Sequence, residues 1–120
     1  MKSFKELIVW QKSIQMVVRI YEITNGFPKE EIFGLKLQIR RCAVSIPSNI
    51  AEGYGRQHTS EYIRFLQISR GSLNELITQL EIAEKLNYIN DINGELSEFD
   101  EIGKMLNGLI IKLSSRLFKK

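Results

Sequence analysis

Hydrophobic residues recur at steps of three and four positions in four separate stretches of this chain, which is the period of an amphipathic α-helix. The first helix is predicted to run from about Ser3 to Thr24, and Asn25-Gly26 ends it because both residues tolerate the left-handed conformation used after a helix. Ser3 and Glu6 have the spacing of a capping box. The apolar stripe of this helix consists of Leu7, Trp10, Ile14, Val17 and Tyr21.

The second helix is predicted to begin at Pro28, because a first-turn proline loses no needed hydrogen bond. Pro47 removes one backbone bond further along. We expect a kink there, with the helix resuming through Asn49 to Glu52 and stopping at Gly53-Tyr54-Gly55; an end near Ile46 is the alternative. The stripe is Ile32, Leu35, Ile39, Cys42, Ala43 and Ile46.

The third helix is predicted to start at Thr59 or Ser60 and to reach about Asn87. Gly71 in its interior would permit a close helix contact, although glycine costs about 1 kcal/mol in helix propensity. Its apolar face consists of Phe65, Ile68, Leu73, Leu76, Leu80 and Ala83.

The fourth helix follows a turn over residues 90–94. Its apolar positions are nearly heptad, which suits shallow-angle packing in a bundle. Short loops make sequential helices antiparallel neighbours. The prediction is therefore an all-α fold, an antiparallel up-down-up-down four-helix bundle, formed by residues 1–120 as one domain. The fourth stripe is Leu96, Phe99, Ile102, Leu106, Leu109, Leu113 and Leu117.

Further apolar residues fall off these four stripes. Exposed apolar surface on this scale marks an interaction face, so a homo-oligomer is predicted; the alternative is that some of these residues sit at bundle edges. They are Ile8, Val18, Ile20, Phe33, Leu37, Ile82, Ile110 and Ile111.

Composition narrows the class of protein. Hydrophobic residues make up 43% and charged residues 26% of the 120 residues, which is typical of a globular protein. We expect no membrane span, because no apolar run approaches the roughly 20 residues required. The N-terminus lacks a signal-peptide pattern, and the single cysteine, Cys42, fits a reducing cytoplasm.

Candidate catalytic and metal-ligating residues are few. His58 is the only histidine, so neither an inward Glu-x-x-His pair nor a Cys/His zinc site can be assembled. Cys42 should lie some 20 Å from His58 along the helix rise, too far for a nucleophile and its base. We therefore predict no metal, no cofactor and no enzymatic activity.

The net charge of +3 becomes informative once the helices are antiparallel. The half formed by residues 1–14, 42–74 and 107–120 holds ten basic and three acidic side chains, or +7, and the remainder carries −4. Such a pole is a plausible footprint for nucleic acid. Cations at helix C-termini also stabilise the helices themselves, but this does not readily explain Arg56 and Arg64.

Residues 38–56 read QIRRCAVSIPSNIAEGYGR. This stretch closely resembles the signature of the four-helix-bundle family encoded in intervening sequences of bacterial 23S ribosomal RNA genes. The similarity extends through residues 7–11, 27–31, 61–66 and 71–76.

The resemblance implies a left-handed up-down-up-down bundle that assembles into a homopentameric ring. It also implies an obscure function: the family is labelled as ribosomal-RNA-associated from gene position. A related branch resembles the accessory protein of diversity-generating retroelements, thought to bind nucleic acid and a reverse transcriptase. The motif positions carried over form a polar face that could line a subunit junction or touch RNA: Arg40, Arg41, Ser45, Asn49, Glu52 and Arg56.

The hypothesis is a non-catalytic, oligomeric, nucleic-acid-associated protein of the cytoplasm. The alternative is a protein-interaction scaffold ring that captures another protein and has no nucleic-acid role. The residues predicted to contact phosphates are Arg56, Arg64, Lys112, Arg116, Lys119 and Lys120.

Overall fold

The computed structural model describes residues 3–118 and contains four α-helices within them. A 3-10 turn, Phe4–Glu6, precedes the first helix, and a second one, Lys29–Glu31, precedes the second helix. No strand occurs in the described part of the chain, so the all-α prediction is confirmed. The helices are α1 (Ile8–Thr24), α2 (Leu35–Tyr54), α3 (Thr59–Lys85) and α4 (Asn93–Leu117).

The helices pack in cyclic order, each against its neighbours in sequence, and α1 closes the ring against α4. Lys12 in α1 pairs with Glu101 in α4 at 2.8 Å, and Arg19 pairs with Glu95 at 3.1 Å. Higher numbers in α1 therefore meet lower numbers in α4, as antiparallel helices require. The bundle measures 54 × 23 × 20 Å, and none of its described helices is long and apolar enough to cross a bilayer.

The start of α1 differs from the prediction. Leu7 has extended backbone angles and separates the 3-10 turn from the helix, which begins at Ile8 rather than Ser3. The Ser3 hydroxyl accepts a hydrogen bond from the Lys5 amide at 3.1 Å, so Ser3 caps the short turn and not α1. The capping-box prediction was therefore wrong about which helix it begins.

The start of α2 also differs, because the helix begins at Leu35 and not at Pro28. Gly34, with φ −109° and ψ −119°, breaks the backbone between the 3-10 turn and the helix. The Glu31 carboxylate then accepts from the Leu35 amide at 2.9 Å and from the Tyr88 hydroxyl at 2.9 Å. The bond to Glu31 raises the pKa of Tyr88. One carboxylate thus caps α2 and joins it to the segment after α3.

Pro47 lies inside α2, which runs unbroken to Tyr54, so the alternative end near Ile46 was wrong. The proline leaves the carbonyl of Ala43 without its usual helical donor. One turn away, the buried Ser69 hydroxyl of α3 donates to the Ile46 carbonyl at 2.9 Å.

Helix α3 ends at Lys85, two residues earlier than predicted. Asn87 has φ 64°, and the amides of Asn87 and Tyr88 bond to the carbonyls of Glu84 and Ala83. This is a Schellman ending, in which asparagine supplies the left-handed residue.

The buried face of α1 is rotated from the predicted stripe. Ile14 and Tyr21 are exposed, and Trp10 is only half-buried. Two hydroxyls can enter the core because Ser13 donates to the Val9 carbonyl and Thr24 to the Ile20 carbonyl, each at 2.7 Å. The buried residues of α1 are Val9, Ser13, Met16, Ile20 and Thr24.

The other helices match the predicted faces more closely. Helices α2 and α4 bury most of their predicted stripes, but Leu117 is exposed, and in α3 Ile63 and Leu66 replace Phe65 and Ile68 at the core. Of the residues predicted off the stripes, Ile20 and Ile110 are buried, which corrects the prediction for both. Leu37 is half-buried, and those exposed as predicted are Ile8, Val18, Phe33, Ile82 and Ile111.

Helices α2 and α3 approach each other closely at Gly53. A Cβ atom added there would lie 2.7 Å from the Phe65 Cβ and 3.2 Å from the Tyr62 carbonyl oxygen. Neither atom can rotate away, because one is fixed to the backbone and the other is part of it. The glycine is required for the contact.

Cys42 packs in the same α2–α3 contact. It is buried, and its thiol donates to the Ser72 carbonyl at 3.0 Å. Burial, with a smaller contribution from the Glu75 charge, raises the pKa of the thiol to about 11. The folded protein therefore holds this cysteine as the neutral thiol at physiological pH.

The substitution Gly53→Ala should lower the free energy of unfolding by about 1–3 kcal/mol, because the added methyl group overpacks the α2–α3 contact. Gly108→Ala is the matched control, since no atom lies within 4 Å of an added Cβ there. The control should raise stability by up to about 1 kcal/mol through helix propensity. Urea denaturation of both variants measures the two changes, and equal stability of the two would contradict the contact.

At pH 8, an aromatic disulfide reagent should modify Cys42 about 100-fold more slowly in the native protein than in urea. The raised pKa lowers the thiolate fraction, so the native rate should climb as pH rises toward 11. Absorbance of the released thiol measures the rate, with Cys42→Ala as the blank. Equal native and unfolded rates at pH 8 would show that the thiol is not protected.

Candidate nucleic-acid interface

The antiparallel packing gathers the predicted cations at one end of the bundle, here called the basic pole. The pole comprises the start of α1, the turn between α2 and α3, and the end of α4. Lys119 and Lys120, predicted to contact phosphates, lie outside the described residues. The described cations of the pole are Lys5, Lys12, Arg56, Arg64, Arg70, Lys112 and Arg116.

Arg56 is held in place by two neighbours. Its guanidinium pairs with Glu52 at 2.9 Å and lies 4.6 Å from the centroid of the Phe65 ring. Both contacts are typical of arginine and keep its planar group at the α2–α3 turn. Arg56 is still exposed, but Glu52 offsets much of its charge.

An aromatic pair lies beside Arg56 at the same turn. Tyr54 and Tyr62 meet edge to face with ring centroids 6.0 Å apart. Burial raises the pKa of the Tyr62 phenol, with a smaller contribution from Tyr54. These rings fix the end of α2 against the start of α3 and so position Arg56 and Arg64.

Two other cations of the pole are engaged across helix boundaries. Lys12 is paired with Glu101 of α4, and the Arg70 guanidinium donates to the Asn107 amide oxygen at 2.7 Å. Lys12 therefore contributes little net charge to the pole, whereas Arg70 keeps its own because asparagine is neutral.

Besides Lys5 and Arg70, three cations of the pole make no ion pair with any residue in the range 3–118: Arg64, Lys112 and Arg116. All three are exposed. Arg64 lies in the second turn of α3, and Arg116 lies in the last turn of α4, where a cation also favours the helix dipole. Their charge is therefore available to an anionic partner.

The motif residues of α2 do not share one polar face. Ser45 donates to the Cys42 carbonyl at 2.6 Å, and Asn49 donates to the Ser45 carbonyl at 2.8 Å. Glu52 continues this row toward Arg56, and the exposed Arg41 begins it. Arg40, in contrast, turns toward α1.

Arg40 fastens the C-terminal end of α1 to α2. Its Nε donates to the Thr24 hydroxyl at 2.9 Å, and one terminal nitrogen donates to the Tyr21 carbonyl at 3.1 Å and to the Asn25 amide oxygen at 3.3 Å. The guanidinium also lies 4.3 Å from the Tyr21 ring centroid. The bond to Tyr21 satisfies a carbonyl that the helix end leaves free, and together the three bonds tie Arg40 within the chain.

His58 and Cys42 are far apart, as the sequence predicted. Cys42 is level with Ser72, while His58 directly precedes α3. The intervening stretch of α3 is about 20 Å long at the helical rise. Among the described residues, no group of three or more His, Cys, Asp or Glu side chains is placed to hold a metal ion.

The sequence interpretation missed an outward surface that the structure reveals, here called the α1–α2 face. Most of its α1 residues had been assigned to the core, whereas Val18 and Leu37 were among the apolar residues predicted to lie off the stripes. It consists of Trp10, Ile14, Val17, Val18 and Tyr21 of α1 and of Leu37, Val44, Pro47, Ser48 and Ala51 of α2.

Comparisons with known proteins agree with the fold. Residues 5–108 match the model of the family described as 23S rRNA-intervening sequence protein. A crystal structure of a protein with unknown function from the S23 ribosomal protein family of Bacteroides thetaiotaomicron is similar, at 30% identity and a TM-score of 0.77. The similarity covers 86% of this chain and 95% of that one. No match was found among curated proteins. The chain therefore belongs to the 23S rRNA-intervening sequence protein family.

Proposed function

We propose that this protein is a non-catalytic homo-oligomer that binds RNA or another nucleic acid through its basic pole. The observation that carries the proposal is the set of three exposed cations, Arg64, Lys112 and Arg116, that no carboxylate of the described chain neutralises. Phosphate oxygens are the natural ligands for such side chains. Arg56, held at the turn by Glu52 and Phe65, would add a fourth contact.

Binding of this kind is governed by counterion release, so it is sensitive to salt and indifferent to base sequence. We therefore expect affinity without strong sequence preference. The names of the family and of the similar crystal structure, which refer to 23S rRNA and to ribosomal protein S23, agree with an RNA ligand.

Self-association strengthens the proposal. Subunits arranged in a ring with the same orientation would place several basic poles side by side and multiply the local charge. The exposed apolar residues of the α1–α2 face supply a reason to associate. The subunit number expected from the family resemblance is five, and native mass spectrometry of the full chain measures it.

A second candidate function is a scaffold ring that binds another protein and no nucleic acid. The width of the α1–α2 face favours it, since an apolar surface is suited to a protein partner. In both cases we place the protein in the cytoplasm, where its single thiol stays reduced, and expect no cofactor.

The triple variant Arg64→Ala, Lys112→Ala, Arg116→Ala should bind single-stranded RNA more weakly than the wild type. Each lost phosphate contact removes about 0.7 from the slope of log affinity against log salt, so the slope should shrink by about 2. Fluorescence anisotropy with a labelled oligonucleotide between about 50 and 200 mM salt measures both affinity and slope.

The control is the triple variant Lys29→Ala, Lys36→Ala, Lys85→Ala. It removes the same net charge from the opposite half, using lysines without an ion pair in the described structure. Its salt slope should stay at the wild-type value. Equal losses in the two variants would mean that net charge and not the basic pole binds RNA, and absence of wild-type binding at low salt would favour the scaffold.

A further inference from the structure

Phe118, which follows the last residue of α4, is the most exposed aromatic side chain of the basic pole among the described residues. Its exposed fraction is 85%. The other rings of the pole are half-buried, and each contacts a second ring or a guanidinium; they are Phe4, Trp10, Tyr54, Tyr62 and Phe65. Phe118 has no such partner within residues 3–118. Most of its ring is therefore open to a ligand.

The ring lies at the very end of the bundle. Asn107 of α4 accepts the hydrogen bond from Arg70 of α3, so these two residues are level. The two helices are antiparallel, so Phe118 is level with Thr59, the first residue of α3. The α2–α3 turn, which carries Arg56, lies at the same end of the bundle.

Unpaired positive charge accompanies the ring along α4. At a rise of about 1.5 Å per residue, Arg116 lies about 3 Å and Lys112 about 9 Å from Phe118 along the helix axis. Both cations are exposed, and neither makes an ion pair with a described residue. An open aromatic ring is thus placed beside two side chains that attract phosphate.

Exposure by itself does not identify a site, because single exposed hydrophobic side chains are common on proteins. Phe33 is 89% exposed and lies at the opposite end of the bundle, before α2. It follows Glu30 and Glu31, which would repel a phosphate. The chain therefore has two open phenyl rings in opposite electrostatic surroundings, and only the surroundings of Phe118 suit a polyanion.

We propose that Phe118 stacks on an unpaired base of single-stranded RNA whose phosphates are bound by the cations of the basic pole. This inference rests on the proposed function and names the form of nucleic acid that the ring selects. Stacking on an aromatic side chain tolerates every base, because each base has a π-face. It therefore agrees with affinity that lacks strong sequence preference.

The base must be unpaired for a geometric reason. In an RNA duplex each base is paired and stacked on its neighbours, and proteins contact such a helix mainly through its phosphates and 2′-hydroxyl groups. The base faces are then hidden from Phe118. A duplex can still reach the cations of the pole, so the ring should contribute to the binding of single strands and not to that of duplexes.

The first test compares Phe118→Ala with Phe33→Ala, each in the full chain. Both substitutions remove an exposed phenyl ring, so neither should disturb the core. The ligand is a labelled single-stranded RNA of about 12 nucleotides that contains only adenine and cytosine and cannot pair with itself. Phe118→Ala should weaken binding about fivefold to a hundredfold in fluorescence anisotropy, and Phe33→Ala should change it by less than about twofold.

The salt dependence separates stacking from phosphate binding. Phe118→Ala removes no cation, so its slope of log affinity against log salt should equal that of the wild type. Its affinity should fall by the same factor at every salt concentration. The variant that lacks Arg64, Lys112 and Arg116 should instead lose slope.

The second test changes the ligand. An abasic oligonucleotide of the same length keeps the phosphates and lacks the bases, and the duplex with the complementary strand keeps the bases but hides their faces. Phe118→Ala should weaken binding to either one by less than about twofold. Phe118→Trp should restore the affinity for the single strand, whereas Phe118→Leu, which is apolar but cannot stack, should not.

The outcomes separate this inference from the proposed function. A wild type that binds no RNA at low salt overturns both. Binding to the single strand that withstands Phe118→Ala, or a loss that is equally large on the abasic oligonucleotide, overturns only the stacking. Sedimentation velocity of Phe118→Ala gives the last check: a change in subunit number would place the ring in a contact between copies of the chain and would also overturn the stacking.

Discussion

Helices α2 and α3 approach each other so closely at Gly53 that no methyl group fits between them. The same contact buries the Cys42 thiol and joins the Ser69 hydroxyl to the α2 backbone beside Pro47. Each of these residues is small, and each bonds directly to the facing helix or touches it. Because the contact extends over most of α2, it fixes the antiparallel direction and the level of the two helices. The turn between them, with Arg56 and Arg64 near it, is thereby fixed at one end of the molecule.

Helix α1 packs against α2 of this pair and against α4. Ser13 and Thr24 bond to the carbonyls of their own helix and can therefore face the core, which turns Ile14 and Tyr21 outward and leaves Trp10 half-buried. Arg40 then fastens the end of α1 to α2 and partly covers the Tyr21 ring. The result is a helix with hydrophobic side chains on two sides, held in an orientation that leaves one of those sides exposed.

The cations of this protein fall into two groups, those paired with carboxylates and those without an ion pair in the described residues. Lys12 and Arg19 bind carboxylates of α4 and stabilise the pairing of α1 with α4. Arg64, Lys112 and Arg116 have no such role in the described chain. Their charge is not neutralised by an ion pair within the described residues, and it is this charge that supports the proposal of an anionic ligand.

The sequence by itself determined the class of fold, the number of helices, the continuation of α2 beyond Pro47 and the end at which cations gather. These features depend on local signals: the hydrophobic period, the glycine and asparagine residues that end helices, and the short loops. The motif in residues 38–56 also indicated the family to which the chain belongs. Only the tertiary structure decided which side of α1 is buried, since the helix has two apolar sides and hydropathy ranked the wrong one higher. It also decided that Arg40 binds α1 and that Glu31, not Pro28, organises the start of α2. In each case the deciding contact joins residues of different segments or bonds a polar side chain to the backbone. The hydrophobic period of a sequence predicts neither kind of contact.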